Sequence, residues 1–144
     1  MQNSKNIVVL IVEDDPIDQK SIERAFSNQE VVDKVYVVAS AEEALDYLQR
    51  SKEQDSDVSR PNLILLDLAL PGMQGKEFLK CIKEDEQLCP IPVVVLTCSD
   101  NQADIEQSYK LYAAGYAQKP LSAAELDIIV KKLVKYWFTT SSLL

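Results

Sequence analysis

Five short apolar runs, at 7–12, 35–39, 63–66, 93–97 and 116–118, alternate along the chain with five amphipathic stretches. The runs Ile7-Val8-Val9-Leu10-Ile11-Val12 and Val93-Val94-Val95-Leu96 are continuous and rich in β-branched residues, with no polar residue at every second place. That pattern suits a central parallel strand covered on both faces. Between the runs, helix signals recur. Asp15 followed by Pro16 reads as an N-cap with proline at the first helical position, and Ile22, Ala25 and Phe26 follow on one face. Ser40 with Glu43, and Ser122 with Glu125, form S-x-x-E capping boxes. Gly75 precedes a helix bearing Phe78, Leu79 and Ile82. A fourth helix, about 101–114, has Ile105, Tyr109 and Tyr112 at helical spacing and ends at Gly115. The fifth runs to about Phe138.

Strand and helix alternating in this way predict an α/β fold, a parallel sheet with helices on both faces. The polar stretch 51–62 is the one long loop, and no interdomain linker is evident. A single domain over 1–144 is expected, with a core of about 6–138, a short Thr/Ser/Leu tail and no output domain.

Composition narrows the chemistry. The net charge of −8 argues against nucleic acid as a partner, because such binding draws on Lys and Arg neutralising phosphates. Lys131, Lys132 and Lys135 read as solvated helix surface. No run approaches the length of a membrane span and no secretory signal opens the chain, so a cytoplasmic protein is expected. With no histidine, His-based catalysis and zinc ligation are lost, and the chain cannot itself carry phosphohistidine. Cys81, Cys89 and Cys98 have no metal spacing and are expected to be reduced, mostly buried thiols.

In open parallel sheets ligands gather outside the carboxyl ends of the strands. Here those ends carry Glu13-Asp14-Asp15 after the first run, Asp67 after the third, Thr97 closing the fourth and Lys119-Pro120 after the fifth. Taken singly, each has an ordinary reading as turn, cap or surface residue. Together they place carboxylates where like charges resist joint ionisation, a conflict that Mg²⁺ with its oxygen ligands resolves. A carboxylate beside such a cation is a nucleophile toward phosphorus, with Lys119 and the Thr97 hydroxyl able to hold phosphoryl oxygens.

The segments 11–16, 65–75, 95–98 and 115–120, reading IVEDDP, LLDLALPGMQG, VLTC and GYAQKP, together resemble the response regulator receiver family across nearly the whole chain. The resemblance implies a doubly wound, flavodoxin-like sheet of five parallel strands in the order 2-1-3-4-5 with five helices. It implies that Asp67 is the phospho-acceptor and that Mg²⁺ is held by Asp14, Asp67 and the backbone carbonyl of Ala69, with Glu13 acting through water. Lys119, Thr97 and the backbone of Cys98 would bind the phosphoryl group. Thr97 and Tyr116 would form the switch, and the bond to Pro120 would be cis.

Three positions depart from the commonest pattern: Glu13 for a frequent Asp, Ala69 where Asn or Met often sits, and Cys98 at a small-residue site. The 92–97 run, Asp104-Ile105, 108–111, the aromatic 136–138 and the insert before Arg60-Pro61 are similar to the phytochrome-associated single-domain response regulators.

The function so implied is that of a stand-alone signalling receiver rather than an enzyme acting on an external substrate. It would be phosphorylated by a histidine kinase, phytochrome-like on the finer resemblance, or by a histidine phosphotransfer protein. Output would pass through protein contact, and a homodimer through the fourth and fifth helices is expected. A phosphorelay shuttle and a phosphorylation-independent docking module remain the alternatives. A phosphohydrolase is disfavoured, since Ala69 stands where such enzymes keep a second Asp. Three glycines and no phosphate loop disfavour nucleotide binding. On the last helix, Leu126, Val130, Leu133 and Trp137 form the stripe expected to face the sheet, with Val134 and Phe138 one turn apart beside it, placed either at the core edge or at an interface.

Overall fold

Period-two alternation within each apolar strand decides the architecture. In β1 (Ile7–Val12), Ile7, Val9 and Ile11 point to one side while Leu10 and Val12 point to the other, and both sets are buried. In β3 (Leu63–Leu66) and β4 (Val93–Thr97) the same division separates Leu63, Leu65, Val94 and Leu96 from Ile64, Leu66, Val93 and Val95. Strands buried on both faces need two layers of cover. Helices α1 (Pro16–Ser27) and α5 (Ala123–Lys135) supply one, through Ile22, Phe26, Leu126, Val130 and Val134. The other comes from α2 (Ala41–Ser51) and α3 (Gly75–Glu84), through Ala44, Leu48, Phe78, Leu79 and Ile82. The remaining elements are β2 (Val32–Val38), α4 (Gln102–Lys110) and β5 (Gly115–Gln118).

The sheet has five strands, all paired in parallel, in the order β2-β1-β3-β4-β5. This computed structural model describes residues 7–70, 72–98, 102–119 and 122–140. Pro120, expected to follow a cis bond, lies outside the described residues, as does Asn101.

Local chemistry explains most element ends. Asp15 caps α1 with its carboxylate on the Ile17 N–H, and Pro16 opens the helix. Ser122 and Glu125 complete a reciprocal capping box on α5. The pair on α2 is only half a box: Ser40 Oγ accepts the Glu43 N–H, but the Glu43 carboxylate takes the N–H of Ala39.

Several sequence expectations need correction. Strand β2 begins at Val32, before Asp33 and Lys34, because it pairs with Ile7 across an irregularity at Ile7/Val8. Gly75 is the first residue of α3 and does not precede it. Helix α4 stops at Lys110, and Tyr112 takes a left-handed φ of 67°. Its buried residue is Ser108, whose hydroxyl is satisfied by the Asp104 carbonyl, whereas Tyr109 and Tyr112 are exposed. Helix α5 gives way at Tyr136 to a π-helical turn, Tyr136–Thr140. On α5 it is Leu126, Val130 and Val134 that bury fully, while Leu133, Trp137 and Phe138 are half-buried against the same cluster. Of the two places left open for Val134, core edge or interface, the structure takes the core: four-residue spacing places it directly below Val130. All three cysteines are exposed, with Cys81 on the outer side of α3 and Cys98 just past β4.

Candidate functional site

The first residue beyond each of β1, β3 and β5 keeps one ladder bond, and this fixes where its side chain begins. The N–H of Glu13 donates to Val38 O (3.0 Å), that of Asp67 to Val12 O (3.1 Å), and that of Lys119 to Thr97 O (2.8 Å). Parallel strands whose polar residues follow immediately after the apolar run therefore deliver those residues to one rim. Glu13, Asp67 and Lys119 are all buried there, and Asp14 is exposed at its edge.

Lys119 joins the rim together. Its Nζ donates to Glu13 Oε1 at 2.5 Å, to Asp18 Oδ2 at 2.7 Å and to Asp67 Oδ2 at 3.1 Å. Burial works against the ammonium, but the hydrogen bonds to Asp18 and Glu13, with the charges of Asp67 and Glu13, outweigh it and hold Lys119 above the ordinary lysine pKa. For Glu13 the balance is reversed. Burial pushes its carboxyl well above the usual carboxylate range, and the Lys119 and Asp15 hydrogen bonds recover only part of that shift.

The remaining oxygens are placed by short-range contacts. Asp67 Oδ1 accepts the N–H of Ala69 at 3.0 Å, which turns the chain back beside the carboxylate and leaves Ala69 exposed. Gln19 donates to the Glu13 carbonyl, and Glu42 accepts the N–H of Met73 at 3.1 Å, tying the β3–α3 loop to α2. Carboxylate oxygens of Glu13, Asp14 and Asp67 lie within 4.8 Å of one another. Three hard oxygen donors at that spacing fit a divalent cation, which offsets the repulsion that one lysine leaves uncompensated.

Thr97 closes β4 on the α3 side of the sheet. It is fully buried, and its hydroxyl has no hydrogen-bond partner among the described residues. It borders a hollow of about 200 Å³ shared with Leu68, Ala69, Gln74 and the ion-paired Lys76 and Asp104. On the other side of β4 a second hollow, also of about 200 Å³, is lined by Ile17, Asp18, Ser21, Cys98, Lys119 and Leu126. Tyr116 is half-buried and packs against the cluster that contains Ala113 and Val95.

Every described residue singled out in the sequence is accounted for. Glu13, Asp14, Asp67 and Lys119 meet at one point, with Ala69 bonded to Asp67 and Thr97 and Cys98 bordering the two hollows. Tyr116 stands on the neighbouring strand, paired in register with Val95. Sequence reasoning missed Asp18, Gln19 and Glu42. Asp18 had a faint signal, an acidic residue one turn after Asp14 at the start of α1.

No helix among the described residues is long and apolar enough to cross a membrane. Comparison with known proteins adds weight from outside the chain. Response regulator Rcp1 of Synechocystis is 35% identical over 136 residues, covering 94% of this chain and 92% of that protein. The probable methanogenesis regulatory protein FilR2 of Methanothrix harundinacea is 36% identical over 130 residues, covering 90% of this chain and 83% of that one. The crystal structure of the phosphorylated cyanobacterial phytochrome response regulator RcpA matches with a TM-score of 0.84 at 39% identity, over 94% of this chain and 96% of that one. The Mn²⁺-bound form of Rcp1 matches with a TM-score of 0.80 at 34% identity, over the same shares of the two chains. The family model for the response regulator receiver domain matches residues 9–131, a span that holds the entire rim from Glu13 to Lys119, and the chain belongs to that family.

Proposed function

We propose that this chain is a stand-alone two-component receiver that accepts a phosphoryl group on Asp67, in a Mg²⁺-dependent reaction, and signals by protein contact. The observation that carries the reading is the Lys119 ammonium, bonded to Asp67 and Glu13 on a rim where Asp14 brings a third carboxylate within cation-binding range. Receivers of this family are phosphorylated on an aspartate, bind a divalent metal and interact with histidine kinases and downstream targets. The donor is a histidine kinase or a histidine phosphotransfer protein, since this chain has no histidine of its own. Likeness to RcpA supports a kinase of the phytochrome type.

In the transfer, a carboxylate oxygen of Asp67 attacks phosphorus, the donor's P–N bond breaks, and the imidazole leaves with a proton. Asp14, Asp67 and the carbonyl of Ala69 would hold Mg²⁺, with Glu13 acting through water. The positive charge of the cation would neutralise phosphoryl oxygens. Lys119 pairs with a phosphoryl oxygen, and the backbone of Cys98 stands beside the same group. The buried Thr97 hydroxyl has no partner among the described residues, so the new acceptor satisfies it, and the half-buried Tyr116 follows its movement. Tyr109 on α4, Tyr112 just beyond its end and Ile128 on α5 are exposed, which supports partner or homodimer contact through these two helices.

The test is intact mass after incubation with Mg²⁺ and acetyl phosphate. One added phosphoryl group is expected in the wild type and none in Asp67→Asn. A wild type that stays unmodified, or an Asp67→Asn protein that gains the group, refutes the proposal.

A further inference from the structure

Lys119 has three N–H donors, and in the resting protein each one is taken by a different carboxylate, Glu13, Asp18 or Asp67. An ammonium has no fourth donor. A phosphoryl group on Asp67 brings new acceptor oxygens, and Lys119 reaches them only by releasing one of the bonds it already holds.

The three bonds differ in what their loss costs. Glu13 is 2% exposed, so losing its lysine would leave a carboxylate stranded away from water. Asp67 bears the phosphoryl group and keeps Lys119 close. Asp18 is different. Its side chain is 33% exposed, and it lies on the wall of the hollow that opens beside Lys119 and Cys98. Water replaces Lys119 at Asp18 with little penalty.

Building on the receiver reading, we propose that Asp18 is a positioning residue, a resting-state latch on Lys119 that phosphoryl oxygens must displace. Its carboxylate competes with the phosphoryl group for the same donor, and its charge adds to the acidic excess that the incoming group meets. The latch therefore sets how tightly the site holds a phosphoryl group.

The experiment measures beryllofluoride affinity in saturating Mg²⁺ for the wild type, Asp18→Asn, Asp18→Ala, Asp18→Glu and Asp67→Asn, with Mg²⁺ affinity alone measured in parallel. Asp18→Asn and Asp18→Ala are expected to bind beryllofluoride about fivefold more tightly, the size of a partly exposed charge pair. Asp18→Glu, which restores the charge, is expected to return to within about twofold of the wild type. Mg²⁺ affinity is expected to move by less than about twofold throughout the Asp18 series. Unchanged or weaker beryllofluoride binding in Asn and Ala overturns the latch, and so does an equal shift in Mg²⁺ affinity, which would mark a merely structural role. Asp67→Asn separates the two proposals. If it loses beryllofluoride while the Asp18 variants match the wild type, only the latch fails. If the wild type does not bind the analogue, both fail.

Discussion

Gly75→Ala is a direct test of how the fold holds the acidic rim. A Cβ at Gly75 would meet Leu68 Cα at 2.6 Å, the Asp67 carbonyl at 2.8 Å and Leu68 Cδ2 at 3.1 Å. Ordinary carbon contacts lie at about 3.5–4.0 Å, so α3 and the β3–α3 turn must separate by roughly 1 Å. Two of the three obstacles belong to the backbone and cannot rotate away. The hydrogen bond from Gly75 N–H to Leu68 O, 3.1 Å long, would stretch with them.

Overpacking of this kind costs about 1–3 kcal/mol. Against it stands the better helix propensity of alanine, at most about 1 kcal/mol in a helix interior and less at the first helical position. The clash wins, leaving a net loss of about 2 kcal/mol and a Tm fall of about 5–10 °C for a chain of this length. The shift also moves the Asp67 and Leu68 backbone, so Mg²⁺ affinity is expected to fall with stability. Gly115→Ala is the control, because its Cβ would meet Val94 methyls at 3.7 Å, an ordinary contact. That change is expected to stay within about 0.5 kcal/mol. Thermal melts and Mg²⁺ titrations of both variants decide the matter. A Gly75→Ala protein as stable as Gly115→Ala, with undiminished metal binding, refutes the reasoning.

Two further outcomes follow from the rim itself. Thr97→Val removes a buried hydroxyl that has no partner among the described residues, so the resting protein is expected to gain about 1 kcal/mol. The same variant is expected to lose part of the thermal stabilisation given by beryllofluoride with Mg²⁺; a loss of resting stability in the melt would show that the hydroxyl is bonded. Glu13 supplies the pH dependence. Burial raises its pKa from 4.5 to about 7, so the folded state favours the protonated carboxyl. That contribution is fully present below 4.5 and is lost as pH rises through about 7. Metal-free protein is therefore expected to melt lower at pH near 8 than at pH near 5, and Glu13→Gln to flatten that slope. An identical slope in Glu13→Gln would assign it to another group.

Strands β1, β3 and β4 were legible because burial on both faces writes an unbroken apolar run, and a polar residue at or directly after the end of such a run is delivered to the rim. Strand β2 was harder. It lies at the edge of the sheet, and its exposed Asp33 and Lys34 interrupt the run that the pairing with β1 continues. Helix α4 misled for a related reason. Tyrosines at helical spacing suggest an apolar face, yet the buried position is Ser108, which hides its polarity in a bond to the carbonyl four residues back. The cysteines were judged by the usual burial of free thiols, and position on the surface overrode that average.

Asp18 left only a faint signal for a deeper reason, and it bears on how the site works. Asp14, Asp15 and Asp18 are alike in sequence, and only a contact spanning 101 residues selects Asp18 for Lys119. The same sheet geometry gives that contact its place. Alternation along β4 sends Val93, Val95 and Thr97 toward α3 and sends Val94 and Leu96 toward α1 and α5, where Cys98 borders the second hollow. Asp67 thus stands between two hollows with different chemistry. Under the proposed reading, one holds a hydroxyl, without a partner among the described residues, that would gain one on phosphorylation, and the other holds a lysine that would give one up. On that reading, the switching signal and the resistance to switching are divided between the two faces of one sheet. Asp18→Asn is then expected to tighten the hold on the phosphoryl group without touching the Thr97 side, and Thr97→Val to loosen it without touching the bonds of Lys119.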